Sequence, residues 1–169
     1  VRAFDARGGA LLWSFDPVPR QLDPVASPTW EGESAPRAGQ ANVWGPISVD
    51  VERDLVFLPT SSPSPDFYGG MRLGANRDAN SVVAVRGRTG AVGWRFQTVH
   101  HDLWDADVAA GPTLITLSRD GRSVPALVLA TKKGFVFVLD RETGAPLLAV
   151  EEQPVPASDV PGERTHPTQ

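Results

Sequence analysis

Thr98 to Val108 reads TVHHDLWDADV, and this stretch concentrates most of the reactive groups in the chain. Two adjacent histidines, three aspartates and a tryptophan fall within eleven residues, in a chain with only 3 histidines. Imidazoles and carboxylates at this density permit metal ligation or general acid/base work. The histidine pair is poorly placed for the first. Adjacent residues on an extended chain point to opposite faces, so His100 and His101 do not readily chelate one ion together. One is expected to be a structural hydrogen-bonder and the other to face a pocket rim. Asp102 is expected to act as a turn or capping acceptor. Asp105 is the candidate proton acceptor. Further on, Lys132 and Lys133 in ATKKG supply cations. On a strand the two would point apart, leaving Lys133 solvated. A hydrolase built on HHDxxD fits poorly, since there is no H-E-x-x-H-type helix and no nucleophile partner at interpretable spacing.

The rest of the chain must position these groups. Its 169 residues, 41% hydrophobic, suffice for one sizeable core. A net charge of −4 and a pI near 5.3, without a basic cluster larger than a pair, argue against nucleic acid or an anionic membrane surface as main partner. With no cysteine, disulfides and thiolate metal sites are excluded. No apolar run approaches the roughly 18–20 residues of a membrane span. The 16 glycines and 16 prolines sit between apolar runs as turn punctuation.

Three segments resemble one another: VRAFDARGGALLWSF (1–15), VVAVRGRTGAVGWRF (82–96) and VFVLDRETGAPLLAV (136–150). Each reads as an alternating strand, a polar turn closed by Gly9, Gly90 or Gly144, and a second strand. A tight hairpin needs a residue tolerant of positive φ there. Four residues later stand Trp13, Trp94 and Leu148; the tryptophans read as packing residues. NVWGPISVD (42–50) and RDLVFLPTSS (53–62) read as strands before the second hairpin, GPTLITLS (111–118) and SVPALVLATKKG (123–134) before the third. The pattern predicts an all-β chain of antiparallel four-stranded blades of a β-propeller, about two and a half of them. The expected division is 1–16 end of one blade, 17–40 connecting loop, 41–97 second blade, 98–150 third blade, and 151–169 connection to the next. A long insertion, 61–80, contains Tyr68 and a glycine pair and could line a site. Because so few blades cannot close a ring, the chain is expected to be a fragment that self-associates through open blade edges.

The D-x-x-T/G-G-x-x-x-W hairpin resembles the tryptophan-docking repeat of pyrroloquinoline quinone (PQQ) dehydrogenases, which are eight-bladed propellers. Non-catalytic scaffolding propellers carry that repeat too. The combination ANVWGPISVD, LPTSSPSPDFYGG, QTVHHDLWDADV, ATKKGFVFVLDRETG and PVPASDVPGERTHPTQ, in this order, is similar to the membrane-bound glucose/quinate/shikimate branch of the family. The resemblance implies oxidation of a sugar or polyol hydroxyl (aldose to aldonolactone in the glucose-type enzymes) on the periplasmic side of the bacterial inner membrane. Hydride passes to PQQ and electrons to ubiquinone. It implies Asp105 as general base, Lys132 as the contact to the quinone oxygens, Trp44 as the aromatic floor beneath the cofactor, and Ser64 as a hydroxyl near it. A divalent ion, Ca²⁺ or Mg²⁺, belongs to the same picture, but its ligands are not assigned in this chain. Alcohol-oxidising relatives carry an asparagine ligand where Ser62 stands. Lanthanide-dependent relatives carry an extra acid at the position of Asp107, which alone does not assign a lanthanide. By this reading the fragment itself is inactive, since a site on the propeller axis draws on several blades. The alternative is a non-catalytic propeller serving as a protein-interaction scaffold.

Overall fold

The computed structural model describes residues 1–20 and 23–169. Its regular structure is almost entirely antiparallel sheet, in three layers that follow the repeats. Strands β1 (Arg2–Phe4) and β2 (Leu11–Ser14) form the first hairpin. A meander of β4 (Ser48–Asp50), β5 (Leu55–Pro59), β7 (Ser81–Arg86) and β8 (Val92–Gln97) forms the middle sheet. The third sheet contains β9 (Thr113–Arg119), β10 (Arg122–Ala130) and β11 (Val136–Asp140).

The fourth strand expected after Gly144 is reduced to a bridge between Leu139 and Pro146. Asp140 and Leu147 donate backbone N–H groups to Ala145 and Val138, both at 2.7 Å. Pro146, between those partners, has no N–H to extend the ladder.

The side-chain period of two explains how the layers stack. On β7, Val82 and Ala84 join Leu55, Phe57, Trp94, Val108, Leu127, Leu129 and Leu139 in a core facing the third sheet. Val83 and Val85 point the other way and pack with Leu58 against Trp13 and Phe15 of the first hairpin. This strand is therefore apolar on both faces, as a central layer requires.

Each joint between layers closes on a tryptophan. The Trp13 indole N–H donates to the Gly87 carbonyl at 2.8 Å, and its ring covers Gly90, where an added Cβ would lie 2.7 Å from it. Trp94 repeats the contact one layer on, donating to the Arg141 carbonyl at 3.1 Å and covering Gly144, where a Cβ would lie 2.5 Å from the ring. Gly9, Gly90 and Gly144 have φ of 70°, 73° and 73°, so the expectation of positive φ holds at all three. Leu148, the counterpart of those tryptophans, is 62% exposed.

The Pro-rich connection has more structure than the sequence suggested. It includes a 3₁₀ turn (Ser27–Thr29), the short helix α1 (Ser34–Arg37) and β3 (Gly39–Gln40), which pairs with β6 (Pro63–Ser64) of the 61–80 insertion. Residues 21–22 of this connection lie outside the described residues. Val18, Trp30 and Ala38 pack on Ala41 and Ala79, and the Trp30 indole donates to the Arg77 carbonyl at 3.2 Å. That contact gives Trp30, unassigned from sequence, the job of fastening the connection to the insertion. The tail 151–169 folds back over the same region. Its Pro161 carbonyl accepts from the Tyr68 hydroxyl at 3.1 Å, and Glu163 accepts from the Gly69 N–H at 2.8 Å.

Candidate functional site

Three irregular segments meet at one end of the middle and third sheets. The first, Asn42–Pro46, precedes β4; the expected strand over 42–50 is regular only from Ser48. Gly45 lies so close to the backbone of the next segment that a Cβ would sit 2.7 Å from the Ala109 carbonyl oxygen. Only glycine allows that approach, and it brings Trp44 to the Asp105 loop. The second segment, Thr98–Val108, links β8 to β9. The third, Thr131–Phe135, is the turn between β10 and β11, closed by backbone bonds Gly134 N–H to Thr131 (3.0 Å) and Thr131 N–H to Phe135 (3.0 Å).

Lys132 therefore sits on a turn, not a strand. Its Nζ donates to the Asp105 backbone carbonyl at 3.1 Å, to Asp105 Oδ2 at 3.2 Å and to Asp107 Oδ2 at 2.9 Å. The same ammonium lies 5.8 Å from the centre of the Trp44 ring, within cation–π range. Trp44 is 56% exposed, so much of its surface is free. Lys133 is exposed as expected, but on a turn and not a strand, and its Nζ lies 5.0 Å from the centre of the Trp104 ring. Desolvation acts to lower the Lys132 pKa, but hydrogen bonds to Asp107 and Asp105 outweigh it and raise the value, so the group stays charged.

Beneath this surface a buried polar network holds the loop. Asp102, 1% exposed, accepts backbone N–H groups of Trp104 (2.9 Å) and Ala106 (2.7 Å), the Asn80 amide (2.9 Å) and the Ser62 hydroxyl. The two loop amides bracket Asp105, whose φ of 53° is left-handed, a conformation aspartate tolerates better than most residues. Asp102 thus does the turn-acceptor work expected of it and also joins the loop to the insertion. Arg72, fully buried, donates to the Asp102, Pro65 and Asp66 carbonyls and to the Asn76 side chain. Neither Asn80 nor Arg72 stands out in the sequence, because Asp102, the partner they share, is 22 and 30 residues away.

The histidines separate as their adjacency implied. His101, 2% exposed, bonds the Gly74 carbonyl through Nδ1 at 2.8 Å, while Nε2 is buried with no hydrogen-bond partner among the described residues. The Nδ1 proton is assigned from that acceptor, which leaves Nε2 unprotonated. Burial holds the His101 pKa below the ordinary value, with the Gly74 bond opposing it. His100 faces the tail, where its ring nitrogens lie 3.1 Å from Gln97 Oε1 and 3.0 Å from Glu152 Oε1, and its ring stacks on His166 with centroids 4.6 Å apart. No group of three or more His, Cys, Asp or Glu able to hold a metal occurs among the described residues.

Asp105, Lys132 and Trp44 are thus brought together. Ser64 is not part of that cluster: it pairs through β6 with Gly39, is half-buried, and bonds none of the three. Ser62, which replaces an asparagine ligand in the resemblance, spends its hydroxyl on Asp102 and Asn80. Asp66 Oδ1 is buried without a hydrogen-bond partner among the described residues, and desolvation, reinforced by the charges of Asp105 and Asp107, raises its pKa.

The arrangement offers a flat aromatic surface, a fixed cation and a half-exposed carboxylate side by side. That set fits a planar quinone, whose ring needs a floor and whose oxygens need a positive partner.

Comparison with known proteins agrees. The PQQ family, described as "Glucose/ethanol/alcohol dehydrogenase, beta-propeller domain", matches residues 1–169. The chain belongs to this quinoprotein β-propeller family. It is 41% identical over its full length to the quinoprotein glucose dehydrogenase of Escherichia coli K12, covering 21% of that protein. It is 43% identical over its full length to the quinate/shikimate dehydrogenase (quinone) of Acinetobacter baylyi, again covering 21%. A solved europium-containing methanol dehydrogenase superposes with a TM-score of 0.74 at 29% identity, covering 86% of this chain and 28% of that one. The chain spans about a fifth of the length of the curated relatives it matches. Among the described residues no helix is long and apolar enough to cross a membrane.

Proposed function

We propose that this chain carries the proton acceptor and part of the cofactor cradle of a PQQ-dependent dehydrogenase acting on a sugar or polyol hydroxyl. The observation that carries the reading is the Lys132 ammonium, held by Asp105 and Asp107 beside the Trp44 ring. When bound, PQQ supplies the electrophilic carbonyl carbon that accepts hydride.

The residues divide the remaining work. Trp44 provides the face on which a planar ring lies. Lys132 places positive charge where a quinone oxygen becomes negative, and a fixed donor there is worth far more than water. Asp105 is anchored by its main chain and left 36% exposed at its side chain, so it can accept the hydroxyl proton as the C–H bond breaks. Ser64 belongs to the proposal as a hydroxyl near the cofactor, outside the bonded Asp105–Lys132–Trp44 cluster.

The substrate class follows the relatives named for glucose and for quinate and shikimate, which share a secondary alcohol or hemiacetal hydroxyl on a ring. Electrons pass on to ubiquinone, on the periplasmic face of the inner membrane, and a Ca²⁺ or Mg²⁺ ion assists; all three belong to the proposal.

The test uses the full-length protein reconstituted with PQQ and Ca²⁺ or Mg²⁺. Dye-linked oxidation of at least one of glucose, quinate or a polyol is expected. A full-length protein that fails to bind PQQ would favour the scaffold reading and overturn this one.

A further inference from the structure

We infer that Asp107 is the positioning residue for Lys132, its carboxylate being committed to that ammonium and not to a metal cation. This rests on the function proposed above and adds a division of labour between the two aspartates.

Lysine ends a flexible four-carbon stem, and its rotamer entropy opposes fixing it. Something rigid must hold it if it is to meet a quinone oxygen at a defined place. Asp105 is ill-suited as the only anchor, because a base must be free to leave its partner for the substrate. Asp107 has the opposite character. Its side chain is 11% exposed against 36% for Asp105, and its Lys132 contact is shorter, 2.9 Å against 3.2 Å. Its other oxygen is fixed too: Oδ1 accepts the Ser62 backbone N–H at 2.7 Å. That amide begins the insertion, and the Ser62 hydroxyl is in turn bonded to Asp102. Asp107 therefore reads as a strut running from a main-chain amide to the ammonium.

Both Asp107 oxygens are thereby used, one by a backbone donor and one by a full positive charge. A metal ion at Asp107 would therefore have to share an oxygen with one of these donors or displace it. Sharing the ammonium with Asp107 also keeps Asp105 from being neutralised by an exclusive ion pair.

The test compares Asp107→Asn and Asp107→Glu with Lys132→Ala and the Asp107→Asn/Lys132→Ala double variant, all in the full-length protein. Without PQQ, lysine labelling by acetic anhydride, resolved by mass spectrometry, reads the anchor directly. Lys132 is expected to label severalfold more slowly than Lys133 in the parent, and Asp107→Asn to remove most of that difference. Unchanged Lys132 protection in Asp107→Asn overturns the inference. With PQQ, Asp107→Asn should weaken binding about tenfold by tryptophan-fluorescence titration, Asp107→Glu should restore part of it, and the double variant should be no worse than Lys132→Ala alone. Additive losses, or a tenfold rise in the metal concentration needed for half-activation, overturn it as well. If labelling changes as expected but the parent binds no PQQ, the anchor stands and the proposed function fails.

Discussion

Lys132 holds Asp105 twice, through the backbone carbonyl at 3.1 Å and through the carboxylate at 3.2 Å. The main-chain bond matters as much as the ion pair. It pins the peptide of a residue in the left-handed region, so the carboxylate can swing away while its backbone stays in place. An ammonium from the β10–β11 turn thus fixes the geometry of a loop that precedes β9.

Asp105→Asn keeps the shape and the tolerance for positive φ while removing the proposed base. In the full-length protein kcat is expected to fall about 10²–10⁴-fold, with the PQQ dissociation constant within a few-fold of the parent. Steady-state kinetics and fluorescence titration of the same preparation check both halves. Undiminished kcat would remove Asp105 from the role of base.

Trp44→Ala should act on cofactor binding and not on folding. Trp44 is 56% exposed, so its loss leaves no core cavity. Loss of aromatic stacking of about 1 kcal/mol or more predicts a PQQ dissociation constant raised roughly fivefold to tenfold, with the urea midpoint unchanged. A lowered midpoint with unaltered PQQ affinity would show a packing role instead.

Glycine-to-alanine changes at the hairpins should separate by what covers them. At Gly144 the new Cβ would lie 2.5 Å from the Trp94 ring, and at Gly9 nothing lies within 4 Å. Both pay the left-handed penalty of about 1–2 kcal/mol; Gly144→Ala adds an overpacking cost of about 1–3 kcal/mol. Urea denaturation should therefore rank Gly144→Ala below Gly9→Ala. Equal midpoints would mean that the Trp94 joint yields freely.

His101 predicts acid sensitivity. Burial lowers its pKa in the folded chain, so below the unfolded value of about 6.5 the unfolded state binds the proton more readily. Its contribution to stability is complete above that pH and is lost as the pH falls through about 6.5 toward the folded value. His101→Asn, which tolerates the φ of 46°, should flatten the change in urea midpoint between pH 7.5 and pH 5.5. An unchanged slope would mean that other groups account for the acid response.

The 169-residue chain handled alone should associate head-to-tail and show no turnover. Phe135, Val136, Leu148 and Val150 are 57%, 60%, 62% and 46% exposed on one outer layer, while Gly9 lies uncovered on the other. Two different surfaces meeting give an open series, not a closed pair. Sedimentation velocity should show concentration-dependent species beyond the monomer; a single monomer across the micromolar range would count against it.

What could be read from sequence was what the chain repeats or encodes locally. The hairpin glycines and the two tryptophans recur at fixed spacing, so the layers and their joints were visible before any coordinates. The Asp105–Lys132–Trp44 grouping was reached through family resemblance, because nothing local brings a turn, a loop and a pre-strand coil together. Lys133 is exposed as the strand reading implies, but KKG forms a turn, marked by Gly134 with a φ of 80°. The truncated fourth strand of the third layer follows from Pro146, a signal present in the sequence but outweighed by the repeat. The supports Arg72 and Asn80 are not legible in the sequence, and Asp107 is legible only as an extra acid, because a buried polar residue declares its partner only in three dimensions.

The tryptophan joints also bear on how such a chain can grow. The first and middle layers each contribute an indole to the following joint, and the middle and third each contribute a glycine turn to the preceding one. A duplication or deletion of the middle layer would therefore leave every remaining joint with both of its halves. The chemistry of the joint tolerates a changing number of copies. The count is then limited by the curvature needed for the last copy to meet the first.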